Sequence, residues 1–158
     1  METTADPATD LAIRRSVTVN APVERAWDVF TRQMQTWWPL ETHSIRAGRE
    51  ERPPEELHLE LRPGGRFYEK TGDEEHRWGS VLACEPPHRI VFEWQVNPSK
   101  PVTEVEVTFT AVDDGTRVDL VHRGWEAMAE AAEEARSGYA SDDGWNRVLG
   151  RFADAAGR

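Results

Sequence analysis

Cysteine is almost absent from this chain: Cys84 stands alone in 158 residues. No internal disulfide can form, so the fold must rest on a packed core, and a reducing cytoplasm is the expected setting. A chain of this length buries roughly 70% of the surface its unfolded form exposes, which is enough without covalent staples. Long apolar runs are missing too, and nothing approaches the roughly 18 residues of a membrane span. The segment Met1 to Asp10 is polar and acidic, without the basic and apolar regions of a secretion signal. It is expected to be a flexible tail (residues 1–10), leaving a single domain over residues 11–158.

Positive charge is also scarce. Lys and Arg total 19 against 29 Asp and Glu, a net charge of −10. That balance favours solubility and argues against a nucleic-acid partner, which requires a basic stripe. The five histidines, His43, His58, His76, His88 and His122, show no paired ligand spacing, so no metal is expected. Neither a GxGxxG fingerprint nor a P-loop occurs, and Gly64-Gly65 belongs to a turn. No cofactor is expected. His43 and Ser44 have no third group at triad spacing, which makes a hydrolytic site a poor reading. There is no internal repeat, and the oligomeric state is not legible.

Tryptophan, in contrast, is abundant, with seven: Trp27, Trp37, Trp38, Trp78, Trp94, Trp125 and Trp145. They are spread over nearly every predicted element, usually in phase with its apolar face. So many large rings converging on one small interior are hard to pack solid. They imply a sheet and helices wrapped around an aromatic cavity.

The elements follow from periodicity. Residues 13–19 alternate, with Ile13, Arg15, Val17 and Val19 on one face of a half-buried strand. Asn20 is a candidate N-cap for a helix carrying Val23, Ala26, Trp27 and Phe30 at i, i+3, i+4, i+7 and running to about Arg32. A short helical turn with Met34, Trp37 and Trp38 stops at Pro39. Residues 39–54 read as a polar loop. Strands are predicted near 57–61, 66–70, 78–85, 89–95, 103–112 and 116–123, with Asp113-Asp114-Gly115 as a hairpin turn. The pattern then becomes helical: Trp125, Met128, Ala132 and Ala135 share a face, and the acidic run Glu130 to Glu134 is mostly a solvated side. A break is expected at Gly138. A last helix starting near Asp142 or Asp143 carries Trp145, Val148, Leu149, Phe152 and Ala156. Strands grouped apart from helices define an α+β class with a largely antiparallel sheet. The first strand is free to pair with a late one, and a curved sheet wrapped around the long C-terminal helix satisfies every apolar face.

Four segments carry a family resemblance: Asn20-Ala-Pro-Val-Glu-Arg-Ala-Trp27, Pro63-Gly-Gly-Arg-Phe67, Trp78-Gly-Ser-Val-Leu-Ala-Cys-Glu-Pro-Pro-His-Arg-Ile-Val-Phe-Glu-Trp94 and Gly144-Trp-Asn-Arg-Val-Leu149. Over residues 11–156 the chain resembles bacterial proteins related to the activator of Hsp90 ATPase, within the START/Bet v 1-like superfamily. Trp37-Trp38-Pro39-Leu-Glu-Thr-His-Ser44 resembles a bacterial subgroup. The resemblance implies the helix-grip fold and a cavity between sheet and C-terminal helix. The superfamily includes lipid and hormone carriers, polyketide cyclases, co-chaperone domains and self-resistance proteins for enediyne antibiotics, so fold alone does not fix function.

The strand phases that reach such a cavity include Leu59, Leu82, Val105, Val107 and Leu120; Phe30 and Phe152 join from the helices. The residues expected to bind ligand are Trp38, Trp78, Phe92, Trp94, Phe109, His122, Trp145 and Leu149. His122, in phase with Val118 and Leu120, is the one weak catalytic candidate, as a general base. Arg15 is a candidate rim residue pairing with Glu69 or a ligand anion. Cys84 reads as a packing residue, and Tyr68 cannot be phased because a bulge after Gly64-Gly65 would shift it. The expected partner is a hydrophobic, aromatic or polyketide-like small molecule, bound without catalysis. Sequestration of a natural product such as an enediyne is a special case. A cyclase- or aromatase-like enzyme is the alternative, and an Hsp90-type co-chaperone domain the second.

Overall fold

The computed structural model describes residues 12–96, 100–126, 132–142 and 144–157. The expected tail, Met128 and Asp143 lie outside these. Seven strands form one antiparallel sheet: β1 (Ile13–Val19), β2 (Glu56–Leu59), β3 (Arg66–Thr71), β4 (Glu74–Glu85), β5 (Arg89–Trp94), β6 (Thr103–Val112) and β7 (Gly115–Arg123). Their spatial order is β1-β7-β6-β5-β4-β3-β2, so the first strand does close against the last. The helices are α1 (Val23–Thr31), α2 (Met34–Trp37), α3 (Ile45–Glu50), α4 (Ala132–Ala140) and α5 (Trp145–Ala156). This is the expected α+β helix-grip fold, with α5 against the inner face of the curved sheet.

The two faces of the sheet obey opposite chemistry. On β6, Val105, Val107 and Phe109 are buried, and on β7 Val118, Leu120 and His122 are. Their outward neighbours form ion pairs: Arg89 bridges Glu85 and Glu106, and Arg123 bridges Glu104 and Glu106. The Arg89 guanidinium, with Arg123 beside it, holds the Glu106 carboxyl below the usual carboxylate range. The inner face is covered by the apolar stripe of α5, namely Trp145, Val148, Leu149, Phe152 and Ala156, all buried. Each fully buried ring or branched side chain there contributes about 2–3 kcal/mol.

Two bulges curve the sheet where it meets the helices. Phe67 pairs with Gly79 and Tyr68 with Arg77, leaving Trp78 as an extra residue opposite β3. Val81 pairs with Phe92 and Ala83 with Val91, leaving Leu82 extra opposite β5. An extra residue bends its strand and reverses the alternation beyond it. Leu82 is therefore on the outside, 46% exposed, and not on the cavity side where simple alternation puts it. Cys84 remains half-buried against the core. Tyr68 faces outward, stacked on His58 at 4.9 Å, while Phe67 and Glu69 point in.

Other departures are local. Asn20 does not cap α1; Pro22 occupies that position, and the Asn20 N–H instead donates to the Gly157 carbonyl at 3.0 Å. The segment read as loop contains α3, capped by Ser44, whose Oγ accepts from the Ala47 N–H at 3.0 Å. Gly138 lies within α4, and α5 begins at Trp145. Arg15 does not reach Glu69; it donates to the Arg14 and Ala140 carbonyls.

Between the bulges the backbones of β4 and β5 nearly touch. A Cβ on Gly79 would sit 1.7 Å from the Glu93 carbonyl oxygen. Gly79→Ala is expected to destabilise the fold by about 1–3 kcal/mol as the strands separate. Urea denaturation checks it, and an unchanged midpoint would show that the strands absorb a methyl group there.

Candidate functional site

A cavity at the aromatic end of the core has a volume of about 510 Å³. Its floor is aromatic: Trp94 from the end of β5, Trp38 from the end of α2 and Trp145 from the start of α5. Tyr139 of α4 forms one side. The segment Thr42 to Arg49, leading into and through α3, forms the opposite wall.

The rings hold each other in place. Trp38 lies 5.3 Å from Trp78, 6.1 Å from Trp94 and 6.0 Å from Trp145, centroid to centroid. Trp94 and Trp145 are 5.3 Å apart. Such tilted pairs contribute about 0.5–1.5 kcal/mol each beyond their buried area. Their indole N–H groups are all spent on protein acceptors. Trp38 donates to the His43 carbonyl at 2.8 Å, Trp94 to the Tyr139 hydroxyl at 2.9 Å, and Trp145 to His122 Nδ1 at 3.0 Å. What these residues offer the cavity is carbon.

Of the eight residues expected to bind ligand, three (Trp38, Trp94 and Trp145) line this cavity. Trp78 packs behind Trp38 and Trp94, and Phe92 packs on Phe67 and Trp94. Phe109 lies elsewhere, against Trp27 and Phe30 of α1. Leu149 is buried in the α5 stripe. His122 sits behind the floor, with no exposed surface.

His122 is fully committed. Because Trp145 donates to its Nδ1, the proton of the neutral ring lies on Nε2, which donates to Thr103 Oγ1 at 2.7 Å. Thr103 in turn donates to the Trp94 carbonyl at 3.2 Å. Burial away from water pushes the imidazole pKa down to about 3. With its lone pair occupied, the ring cannot take a proton from a ligand in the cavity, and the base role is unsupported by the geometry.

Two side chains around the cavity have roles that periodicity does not announce: Glu69, expected only as a partner for Arg15, and Tyr139. Glu69 is completely buried. One oxygen accepts from the Ile45 N–H at 2.6 Å and the Trp78 indole at 2.7 Å, the other from the Arg46 N–H at 2.9 Å. This carboxylate anchors α3, which buries no residue of its own. Its signal was its position two residues after Phe67, on the same strand face. The second is Tyr139, obscured by the break expected at Gly138. Burial pushes its hydroxyl pKa up. His43 Nδ1 is 2.7 Å from Thr42 Oγ1, and Ser44 Oγ both caps α3 and donates to the Leu40 carbonyl. No relay links His43 to Ser44 among the described contacts. No group of three or more potential metal ligands occurs among the described residues, and no described helix is long and apolar enough to cross a membrane.

A curved sheet gripping a C-terminal helix, with an aromatic cavity at one end, defines a helix-grip protein of the START/Bet v 1-like class. Residues 20–157 match the family of Activator of Hsp90 ATPase homolog 1-like proteins, and the chain belongs to that family. Among solved structures it is similar to Txn09, an anthrahydroquino-gamma-pyrone synthase: 32% identity over 90% of this chain and 95% of that one, with a TM-score of 0.60. It is also similar to CalC, a self-sacrificing resistance protein from Micromonospora echinospora. There the identity is 26%, the coverage 93% and 94%, and the TM-score 0.69. The Aha1 dimer from Colwellia psychrerythraea shares the fold at 14% identity, covering 92% and 95%, with a TM-score of 0.62. No curated protein matches the chain.

Two predictions follow from the buried polar groups. Glu69→Gln replaces an acceptor-only carboxylate by a group that offers donors to donors. It should cost about 1–3 kcal/mol in urea denaturation and accelerate hydrogen exchange of the Ile45 and Arg46 amides. Unchanged exchange would remove Glu69 as the anchor of α3. For His122, the folded pKa of about 3 lies below the ordinary 6.5. Above the unfolded value both states are neutral and nothing changes. As pH falls below it, only the unfolded chain binds the proton, so stability drops by about 1.4 kcal/mol per pH unit until the folded value is reached. In NMR the His122 ring should show no titration down to about pH 4; a midpoint near 6 would contradict the assignment.

Proposed function

We propose that the protein binds a planar, aromatic or polyketide-like small molecule in the cavity floored by Trp38, Trp94 and Trp145. The cavity itself carries this reading. At about 510 Å³, it has the size of a small-molecule site and a wall chemistry that favours flat carbon frameworks. The similarity to a synthase of a polycyclic aromatic and to a resistance protein supports the same ligand class. The half-buried single thiol of Cys84 suits a reducing cytoplasm.

Gly48 supports the cavity as a site of use. Glycine in a helix costs about 1 kcal/mol relative to alanine, yet it stands in the middle of α3. A Cβ there would meet nothing within 4 Å, because the position opens onto the cavity. A side chain at this point would occupy ligand space without disturbing the core.

Binding without chemistry is the primary reading, since the one buried histidine near the floor is already committed on both nitrogens. Sequestration of a reactive natural product is its special case, supported by the similarity to CalC. A cyclase-type enzyme is the second reading, supported by the 32% identity to Txn09.

Titration with anthraquinones, followed by tryptophan fluorescence, tests the proposal. Quenching is expected, because the three floor indoles touch the ligand. Gly48→Phe should fill the cavity, weaken binding at least about tenfold, equivalent to about 1.4 kcal/mol, and leave the melting temperature unchanged or higher. Full affinity in a folded Gly48→Phe protein would locate binding elsewhere, and no binding by any polycyclic aromatic would end the reading.

A further inference from the structure

We infer that the ligand of this cavity is an oxygen-rich, acidic aromatic: a ring system with a keto or quinone oxygen at its deep end and a carboxylate or ionised phenol at the mouth. The inference rests on the cavity reading above and specifies its chemistry.

The polar groups along the lining are mostly engaged already. The three floor indoles have given their N–H groups to the protein. Ser44 Oγ accepts from Ala47 and donates to Leu40. Thr42 and His43 engage each other. Tyr139 and Arg49 are lining side chains with unspent capacity among the described residues. Tyr139 accepts from Trp94 at 2.9 Å, and its own hydroxyl proton has no acceptor among the described residues. Arg49 is exposed, with no ion-pair partner among the described residues, although its neighbours Arg46 and Glu50 pair with each other.

Both unspent groups are donors. The Tyr139 phenol keeps its proton, because burial pushes its ionisation upward. The Arg49 guanidinium carries five N–H donors and no acceptor. Unspent donors at both ends of an apolar slot favour a molecule that brings acceptors and disfavour an amine or other cation. The positions fix the order. Tyr139 lies deep, 5.2 Å from the buried His122 ring and 6.1 Å from Trp145. Arg49 lies on the exposed α3 wall. The carbonyl therefore goes in first and the acid stays at the water's edge. This runs against the protein's overall charge of −10, which by itself would draw cations. A local guanidinium at the entrance is what lets an anion approach.

Three probes separate this inference from the reading beneath it: anthraquinone-2-carboxylate, its methyl ester, and anthracene-2-carboxylate, which keeps the acid but lacks the ring oxygens. The anthraquinone acid should bind tightest. Arg49→Gln should lower its affinity about three- to fivefold and leave the ester unchanged, with the difference shrinking as salt is raised. Tyr139→Phe should weaken both anthraquinones about two- to tenfold and spare the anthracene acid, which separates a lost hydrogen bond from a distorted cavity. Equal binding of all three probes to the wild-type protein and both variants would overturn the inference while leaving an aromatic site intact. Tighter binding of a cationic anthraquinone would overturn it too. If no probe binds, the cavity reading itself fails.

Discussion

The structure around the cavity depends on one neutral imidazole. His122 receives a proton from Trp145 and gives one to Thr103, which passes the chain to the Trp94 carbonyl. In four groups this line joins the start of α5 to β7, β6 and the end of β5. A buried polar chain of this kind is stabilising only when every member is satisfied. Here it is, and the consequence is geometric. Of the three indoles that floor the cavity, Trp145 is held by this line, Trp94 donates to the Tyr139 hydroxyl and Trp38 to the His43 carbonyl, so none needs a partner from solvent or ligand. The cavity can stand open without leaving an indole N–H of its floor unpaired.

The opposite wall is built on different physics. α3 buries no side chain, carries a glycine in its middle, and is held by polar bonds. The strongest are the Glu69 contacts to its first two amides, aided by the positive end of the helix. The same carboxylate fixes the Trp78 indole, which packs beneath Trp38 and Trp94. Glu69 thus couples the soft wall to the hard floor. A segment with few apolar contacts opens at lower free energy than the core.

How much of this was legible depends on the physics each residue obeys. Strict alternation identified β1 and β6 to the residue, because both have one dry and one wet face. The α5 stripe was legible for the same reason. Leu82 was not, because bulges insert a residue that no pattern of hydrophobicity announces. α3 was hidden because it has no apolar period; only Ser44 marked its start. The roles of Glu69 and Tyr139 were missed because polar side chains doing buried work resemble surface residues until their neighbours are known. The choice among the tryptophans was similarly limited. Sequence grouped Trp38, Trp78, Trp94 and Trp145 as facing inward, but lining and supporting differ by one layer of packing, and that layer is set by the bulge at Trp78.

What separates a binder from a cyclase in such a site is a base with a free lone pair. The donors at Tyr139 and Arg49 would hold a ground-state ketone or phenolate, and the same donors would stabilise an enolate as charge developed on its oxygen. Donors therefore do not decide between the two readings. His122 is removed from the role by the indole that occupies its lone pair. His43 is the imidazole that lines the cavity, and its Nδ1 is held to Thr42 at 2.7 Å. An aromatic floor wired to the core, and a lining imidazole already bonded at Nδ1, support the binding proposed above over a cyclase.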